Sequence, residues 1–187
     1  VGIPDKARRL AGGKGILRNP SAGAQAKDYY EFFNKFTVTL IDYFGGIVKE
    51  ESNGKLLFGT FYAYFGHHLY AFPYHGPDSG HYALGQLLKS RNVDVISSPY
   101  NYHNRKTNCS FSIALASIRA HGKLFLGEYD LQTHYIKNPE AYPHHLPFLK
   151  NAEDTKVFYW RDYARALTLG IGAYWYDFCH GWFDYPE

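Results

Sequence analysis

Two carboxylates, Glu128 and Asp130, close a short apolar run in the stretch Lys123 to His134, KLFLGEYDLQTH. Residues two apart on an extended strand share a face, so both acids point the same way as long as the strand persists to Asp130. An apolar strand with acids only at its carboxyl end is the form that parallel sheets use. The middle packs between layers while the carboxyl end opens on a ligand crevice. Alone, the pair fits a solvated strand end equally well, because acidic side chains are mostly surface groups. What favours a site is that neighbouring strands end in similar chemistry.

Those other strand ends carry Tyr62 and Tyr64 with His67, then Tyr100 and Tyr102, then Trp175 and Asp177 with Trp182 just beyond. Together with Glu128 and Asp130 they make ring platforms interspersed with carboxylates. A pyranose needs that combination, since its C–H face stacks on rings and its hydroxyls require acceptors. The chain contains 18 Tyr and 14 Phe, a density of rings suited to partly hydrated ligands as well as to core mass. Hydrolysis of a glycoside adds a stricter demand, one carboxyl group that protonates the leaving oxygen and another that attacks or activates water. Glu128 is the nucleophile candidate by position. The adjacent pairs His67-His68 and His144-His145 lack the i, i+4 spacing of a helical metal site, and Cys109 and Cys179 fit no zinc pattern, so no metal is expected. No G-x-G-x-x-G follows any strand, and no cofactor is expected.

Positioning these groups requires a regular alternation of elements. Residues 1–27 read as a linker or loop, rich in Gly, Ala, Lys and Arg without a sustained period. From Asp28 to about Glu51 a helix is expected, with Tyr29, Phe32, Phe33, Phe36, Leu40, Tyr43, Phe44, Ile47 and Val48 forming a stripe toward a core. Strands follow at Lys55 to Tyr64, Val93 to Ser98, the central stretch, and Gly172 to Phe178. Helices at about Asp78 to Ser90, Phe111 to His121 and Thr155 to Leu169 separate them. Such alternation indicates a parallel sheet, and the strand intervals bracket the ~31 residues per unit of an eightfold α/β barrel. Residues 28–187, with four strands, are then half of a (β/α)8 TIM-type barrel. Half a barrel has two open edges and an unfilled interior, so a homo-oligomer or association with the missing half is expected.

Composition removes other classes. A formal charge of +3 with scattered Lys and Arg gives no basic stripe for nucleic acid. The run Phe36 to Val48 is broken by Asp42, Gly45 and Gly46, so no membrane span is expected. No signal-peptide pattern opens the chain, which leaves the cytoplasm or, for a piece of a longer chain, secretion. The absence of Met leads us to expect such a piece.

The runs DVISSPYNYHNR, GKLFLGEYDLQTH and RDYARALTLGIGAYWYDFCHGWFDYPE resemble the second half of the catalytic barrel of glycoside hydrolase family 42, the β-galactosidase-like enzymes. The shared features are Ser-Pro-x-x-Tyr after the sixth strand, Glu at the end of the seventh, and an aromatic eighth strand leading to Gly-Trp-Phe. The resemblance implies a retaining mechanism with the nucleophilic Glu on strand seven, which Glu128 matches. It places the acid/base Glu on strand four, upstream of Val1, in an Asn-Glu pair that this sequence lacks. The family's cysteine zinc cluster is not matched by Cys109 and Cys179. Asp130 lies on the wrong part of the turn to take the acid's place, and Asp177 reads as a hydroxyl acceptor or a Trp partner, given the roughly 5 to 5.5 Å that separates a retaining pair. The alternative expectation is a sugar-binding or assembly module without chemistry.

Overall fold

A computed structural model of the chain describes residues 3–5, 9, 20–62, 79–101, 110–111, 113–136, 149–177 and 181–184. The elements run α1 (Pro20–Glu51), β1 (Gly59–Phe61), α2 (Leu84–Leu87), β2 (Val95–Pro99), α3 (Leu115–Ala120), β3 (Leu124–Tyr129), α4 (Ala152–Leu169) and β4 (Gly172–Trp175). The four strands form one sheet in the order β1-β2-β3-β4, and every pairing is parallel. The chain is therefore an α/β protein whose helices connect adjacent parallel strands.

Register sorts the side chains into two faces. Gly59, Val95 and Leu124 share one face with Phe61, Ser97, Leu126 and Gly172, and a row above them come Glu128 and Tyr174. Ile96, Phe125, Tyr129, Ala173 and Trp175 alternate onto the other. The hydrophobic core lies wholly on this second face. One cluster joins Val38 of α1, Leu84 and Leu87 of α2 and Ile118 of α3 to Ile96 and Phe125, and another joins Ala166 of α4 to Tyr100 and Tyr129. Among the described residues no helix lies over the first face, and Phe61 and Leu124 are 50% and 58% exposed.

The amino ends of the strands are tied by polar groups. Asp94, just before β2, accepts from the Lys49 ammonium at the end of α1 and from the Phe58 amide at 2.8 Å, fixing the start of β1 against β2. The Lys123 ammonium, just before β3, donates to the carbonyls of Ser90 and Val93. Asp42 of α1 accepts from the Ser90 hydroxyl and from the Asn92 amide at 3.2 Å. This end of a parallel α/β sheet serves stability, leaving the carboxyl end for ligands.

Several boundaries differ from the sequence reading. Helix α1 reaches back to Pro20, through the end of the expected linker, as Pro is compatible with a first helical turn. The helices expected over Asp78 to Ser90 and Phe111 to His121 shrink to Leu84–Leu87 and Leu115–Ala120. Helix α4 starts earlier than expected because Asn151 caps it, its side chain accepting from the Asp154 amide at 2.8 Å. Gly170, in the left-handed region at φ 61°, ends it.

The larger correction concerns α1. Of the stripe expected to face the core, Phe32, Phe36, Leu40, Tyr43, Phe44 and Ile47 are exposed. The buried side is instead Tyr30, Asn34 and Val38, with Gly45 close beneath. Hydrogen bonds decide the orientation. Asn34 accepts from the Tyr82 amide at 2.7 Å, and Asp42 sits in the network at Ser90 and Asn92, so the polar residues of the helix are the ones anchored inward.

Burial works to raise the pKa of Asp94, but the Lys49 hydrogen bond, the Phe58 amide and the charges of Lys49 and Lys123 outweigh it and hold the carboxyl below its ordinary value. A depressed carboxyl pKa contributes stability that is present above the unfolded value of about 3.9 and is lost as pH falls through the folded one. Asp94→Asn is expected to lower stability to urea by about 1–3 kcal/mol at neutral pH. The gap between variant and parent should narrow below pH ~4, where the parent's carboxylate protonates. A gap that grows on acidification would contradict this assignment.

Candidate functional site

Glu128 is the penultimate residue of β3 and only 6% exposed, although it stands on the face over which no described helix lies. Its burial comes from neighbours in the sheet. Parallel register sets Pro99 of β2 on one side and Tyr174 of β4 on the other. The Tyr174 hydroxyl donates to Glu128 Oε2 at 2.7 Å, so a cross-strand pair fixes the orientation of the carboxylate.

One level deeper, the Ser97 hydroxyl donates to the Leu126 carbonyl at 2.9 Å and lies 3.4 Å from the Tyr174 oxygen. With both hydroxyl protons directed elsewhere, the Ser97–Tyr174 contact has none to share and is weak. Below this level the face turns apolar. A cavity of about 290 Å³ is lined by Phe61, Val95, Leu126 and Tyr174 among others, an acid at the mouth of an apolar trough.

Behind Glu128, Gly127 makes room for Phe111. A Cβ at Gly127 would lie 2.6 Å from the Phe111 ring, which stacks edge-on against Phe125 at 5.0 Å and Tyr129 at 5.7 Å. The sheet is thus clamped on its core side at the position that carries the acid on its open side.

The segment after β3 is pinned as well. The Tyr159 hydroxyl donates to the Leu131 carbonyl at 2.7 Å, and the His134 amide donates to the Thr155 hydroxyl at 3.2 Å, both partners being on α4. The Thr133 hydroxyl donates to the Trp182 carbonyl, and Asp177 accepts from the Trp182 amide at 3.1 Å. Asp177 is therefore a partner of Trp182 through the backbone.

The residues singled out from sequence do not all converge. Asp130 is fully buried just past Glu128. Tyr62 lies in the core on the helix-covered side, its hydroxyl donating to the Gly80 carbonyl at 2.9 Å and accepting from the Ala83 amide at 3.1 Å. Burial pushes that phenol up to about 12, against the smaller opposing effect of the Ala83 bond. Tyr100 is buried against Tyr129, with ring centroids 5.4 Å apart. Trp175 also faces the helix side, stacked on Tyr129 at 6.0 Å and Tyr159 at 5.8 Å, and Trp182 is fully buried. Tyr62, Tyr100 and Trp175 are thus set on the side of the sheet away from Glu128. Tyr64, His67 and Tyr102, like His68, His144, His145 and both cysteines, lie outside the described residues.

Two residues of the site were missed from sequence, Ser97 and Tyr174. The signal for Tyr174 was the alternation in GAYWYDF, where positions 172, 174 and 176 take one face and 173, 175 and 177 the other. Choosing between them requires the register against β3. Among the described residues no group of three or more His, Cys, Asp or Glu could hold a metal ion, and no helix is long and apolar enough to cross a membrane.

Gly127→Val is expected to destabilise the chain by about 1–3 kcal/mol, because the added side chain meets the Phe111 ring. Combining it with Phe111→Leu should recover part of that loss in a double-mutant cycle followed by urea denaturation. Purely additive losses would place Phe111 elsewhere.

No family model, curated protein or solved structure matches this chain.

Proposed function

We propose that this chain supplies strands five to eight of a (β/α)8 barrel glycoside hydrolase of β-galactosidase type, with Glu128 as the nucleophile of a retaining double displacement. The observation that carries the reading is the position of Glu128. It is a carboxylate at the carboxyl end of a parallel strand, on the uncovered face and oriented by the Tyr174 hydroxyl. Parallel strands ordinarily have both faces covered, and in a barrel the uncovered face is the interior. The family resemblance of the seventh-strand Glu and the aromatic eighth strand points the same way.

In this mechanism Glu128 Oε1 or Oε2 attacks the anomeric carbon as the glycosidic C–O bond breaks, and a second carboxylic acid protonates the departing oxygen. Water then cleaves the glycosyl ester, the second group now taking its proton, and Glu128 leaves as the carboxylate. The second group comes from the half of the barrel that lies outside these residues. Tyr174 is a positioning residue, holding one carboxylate oxygen so that attack is aimed. Tyr176, at the mouth above Tyr174 and 41% exposed, is the ring on the open face best placed to stack on a pyranose. The carbohydrate is a β-galactoside or a similar sugar.

A second reading, a sugar-binding or assembly module without chemistry, draws on the same open face. Its apolar trough can be an association surface whether or not Glu128 reacts.

With a chromogenic β-galactoside and the assembled barrel, Glu128→Gln should reduce kcat on the order of 10⁴-fold or more while leaving folding intact. Tyr174→Phe should cost about 10- to 100-fold in kcat, the worth of one hydrogen bond to a charged group. Hydrolysis that persists in Glu128→Gln would defeat the nucleophile assignment. Galactose binding by calorimetry without turnover in the parent would favour the second reading.

A further inference from the structure

Gln132 stands apart from the other buried polar groups. It is 2% exposed, and among the described residues neither its amide oxygen nor its amide nitrogen has a hydrogen-bond partner. A carboxamide both donates and accepts, and burying it unpaired costs free energy for each bond left unmade. Other inward amides of the chain are engaged. Asn34 donates to the Tyr30 carbonyl at 2.8 Å and accepts from the Tyr82 amide at 2.7 Å, and Asn92 donates to Asp42 at 3.2 Å. An amide left open in an otherwise paired interior has capacity for a ligand.

The segment that carries Gln132 fixes where it stands. The ladder between β3 and β4 runs on past the strand end, the Tyr176 amide donating to the Tyr129 carbonyl at 2.9 Å. Tyr129 and Leu131 both enter the core cluster on the helix-covered side. Alternation then gives Gln132 the parity of Glu128 and Asp130, toward the open face. The backbone is held on both sides of it, by the Tyr159 hydroxyl on the Leu131 carbonyl and the Thr133 hydroxyl on the Trp182 carbonyl. The side chain can therefore turn toward the mouth without giving up a hydrogen bond, while its anchor stays fixed. Four residues of chain span at most about 14 Å, so a saccharide held at Glu128 comes within reach of this amide.

We infer that Gln132 binds the sugar, its amide oxygen accepting from one hydroxyl and its amide nitrogen donating to the adjacent one. Neighbouring hydroxyls of a pyranose offer a donor and an acceptor side by side, the complement of a carboxamide. A site that pairs a substrate hydroxyl in this way rejects the analogue that lacks it, because its own polar group is then left unpaired. Gln132 takes this role only if the chain binds a saccharide, as proposed above. It has no part in bond breaking and acts on affinity and on the choice of sugar.

The test pairs a stability measurement with a binding measurement. Gln132→Met keeps the length of the side chain and removes its polar atoms. In the whole chain it should leave the urea midpoint unchanged or raise it, since an unpaired buried amide gives way to an apolar group. In the assembled barrel, methyl β-galactoside followed by titration calorimetry should bind about ten- to a hundredfold more weakly to Gln132→Met, and Gln132→Ala should show the same loss. Methyl β-galactosides that lack one hydroxyl at a time then identify the partners. Two analogues missing adjacent hydroxyls should bind the parent more weakly than methyl β-galactoside does, and that penalty should vanish in Gln132→Met. A lowered urea midpoint with unchanged affinity would assign the amide to an internal water and overturn the inference. So would a penalty that persists in Gln132→Met for every analogue. Either result beside turnover that still requires Glu128 would strike Gln132 alone, whereas no binding of methyl β-galactoside by the parent would overturn the saccharide reading with it.

Discussion

A parallel sheet needs cover on both faces, and among the described residues only one face has it. Its strands cannot be joined by tight hairpins, so each connection returns over a face and carries a helix with it. Every connection described here packs on the same side, where Ile96, Phe125 and Tyr129 meet α1 to α4. No described element covers the other side, where the trough at Phe61 and Leu126 lies, and among the described residues β1 and β4 have free edges.

The two ends of the sheet divide the work. At the amino ends, charged groups are used for attachment. Asp94 holds Lys49 and the Phe58 amide, and Lys123 holds two carbonyls, so the starts of β1, β2 and β3 are stitched to one another and to the end of α1. At the carboxyl ends Glu128 and Tyr174 stand on the open face, while Tyr62, Tyr100 and Trp175 turn to the core. Glu128 meets the Tyr174 phenol, a neutral partner that orients it, and the segments beyond β3 and β4 are fastened to each other through Thr133, Trp182 and Asp177. Gly127 links the two sides of the sheet, since only a residue without Cβ lets Phe111 press on the strand directly behind the acid.

Helix α1 shows where reading by periodicity fails. Its apolar residues lie on more than one side, so a period of 3.6 offers several candidate faces. Spacing alone reads Phe32, Phe36, Leu40, Tyr43 and Phe44 as a stripe facing the core, and the structure leaves them exposed. The choice of which face meets this sheet was made by Asn34 and Asp42, whose hydrogen bonds to Tyr82, Ser90 and Asn92 join residues far apart in the chain. The aromatic site candidates failed for a related reason. Tyr62, Tyr100 and Trp175 do sit at strand ends, but the parity of each strand was not readable, and they alternate onto the core side.

The sequence by itself determined the order of elements, the parallel sheet that such an order produces, the end of α1 at Glu51 and the place of Glu128 at a strand's carboxyl end. Those features depend on local spacing and on the reach of short connections, which one chain states directly. Only the tertiary structure decided that Tyr174 and Ser97 stand beside Glu128 and that Trp182 is buried by its backbone partners. It alone also decided which face of the sheet the described helices cover. Register between strands and the facing of a helix are settled by pairings across tens of residues, and a period of two or of 3.6 has no information about which partner lies on the other side.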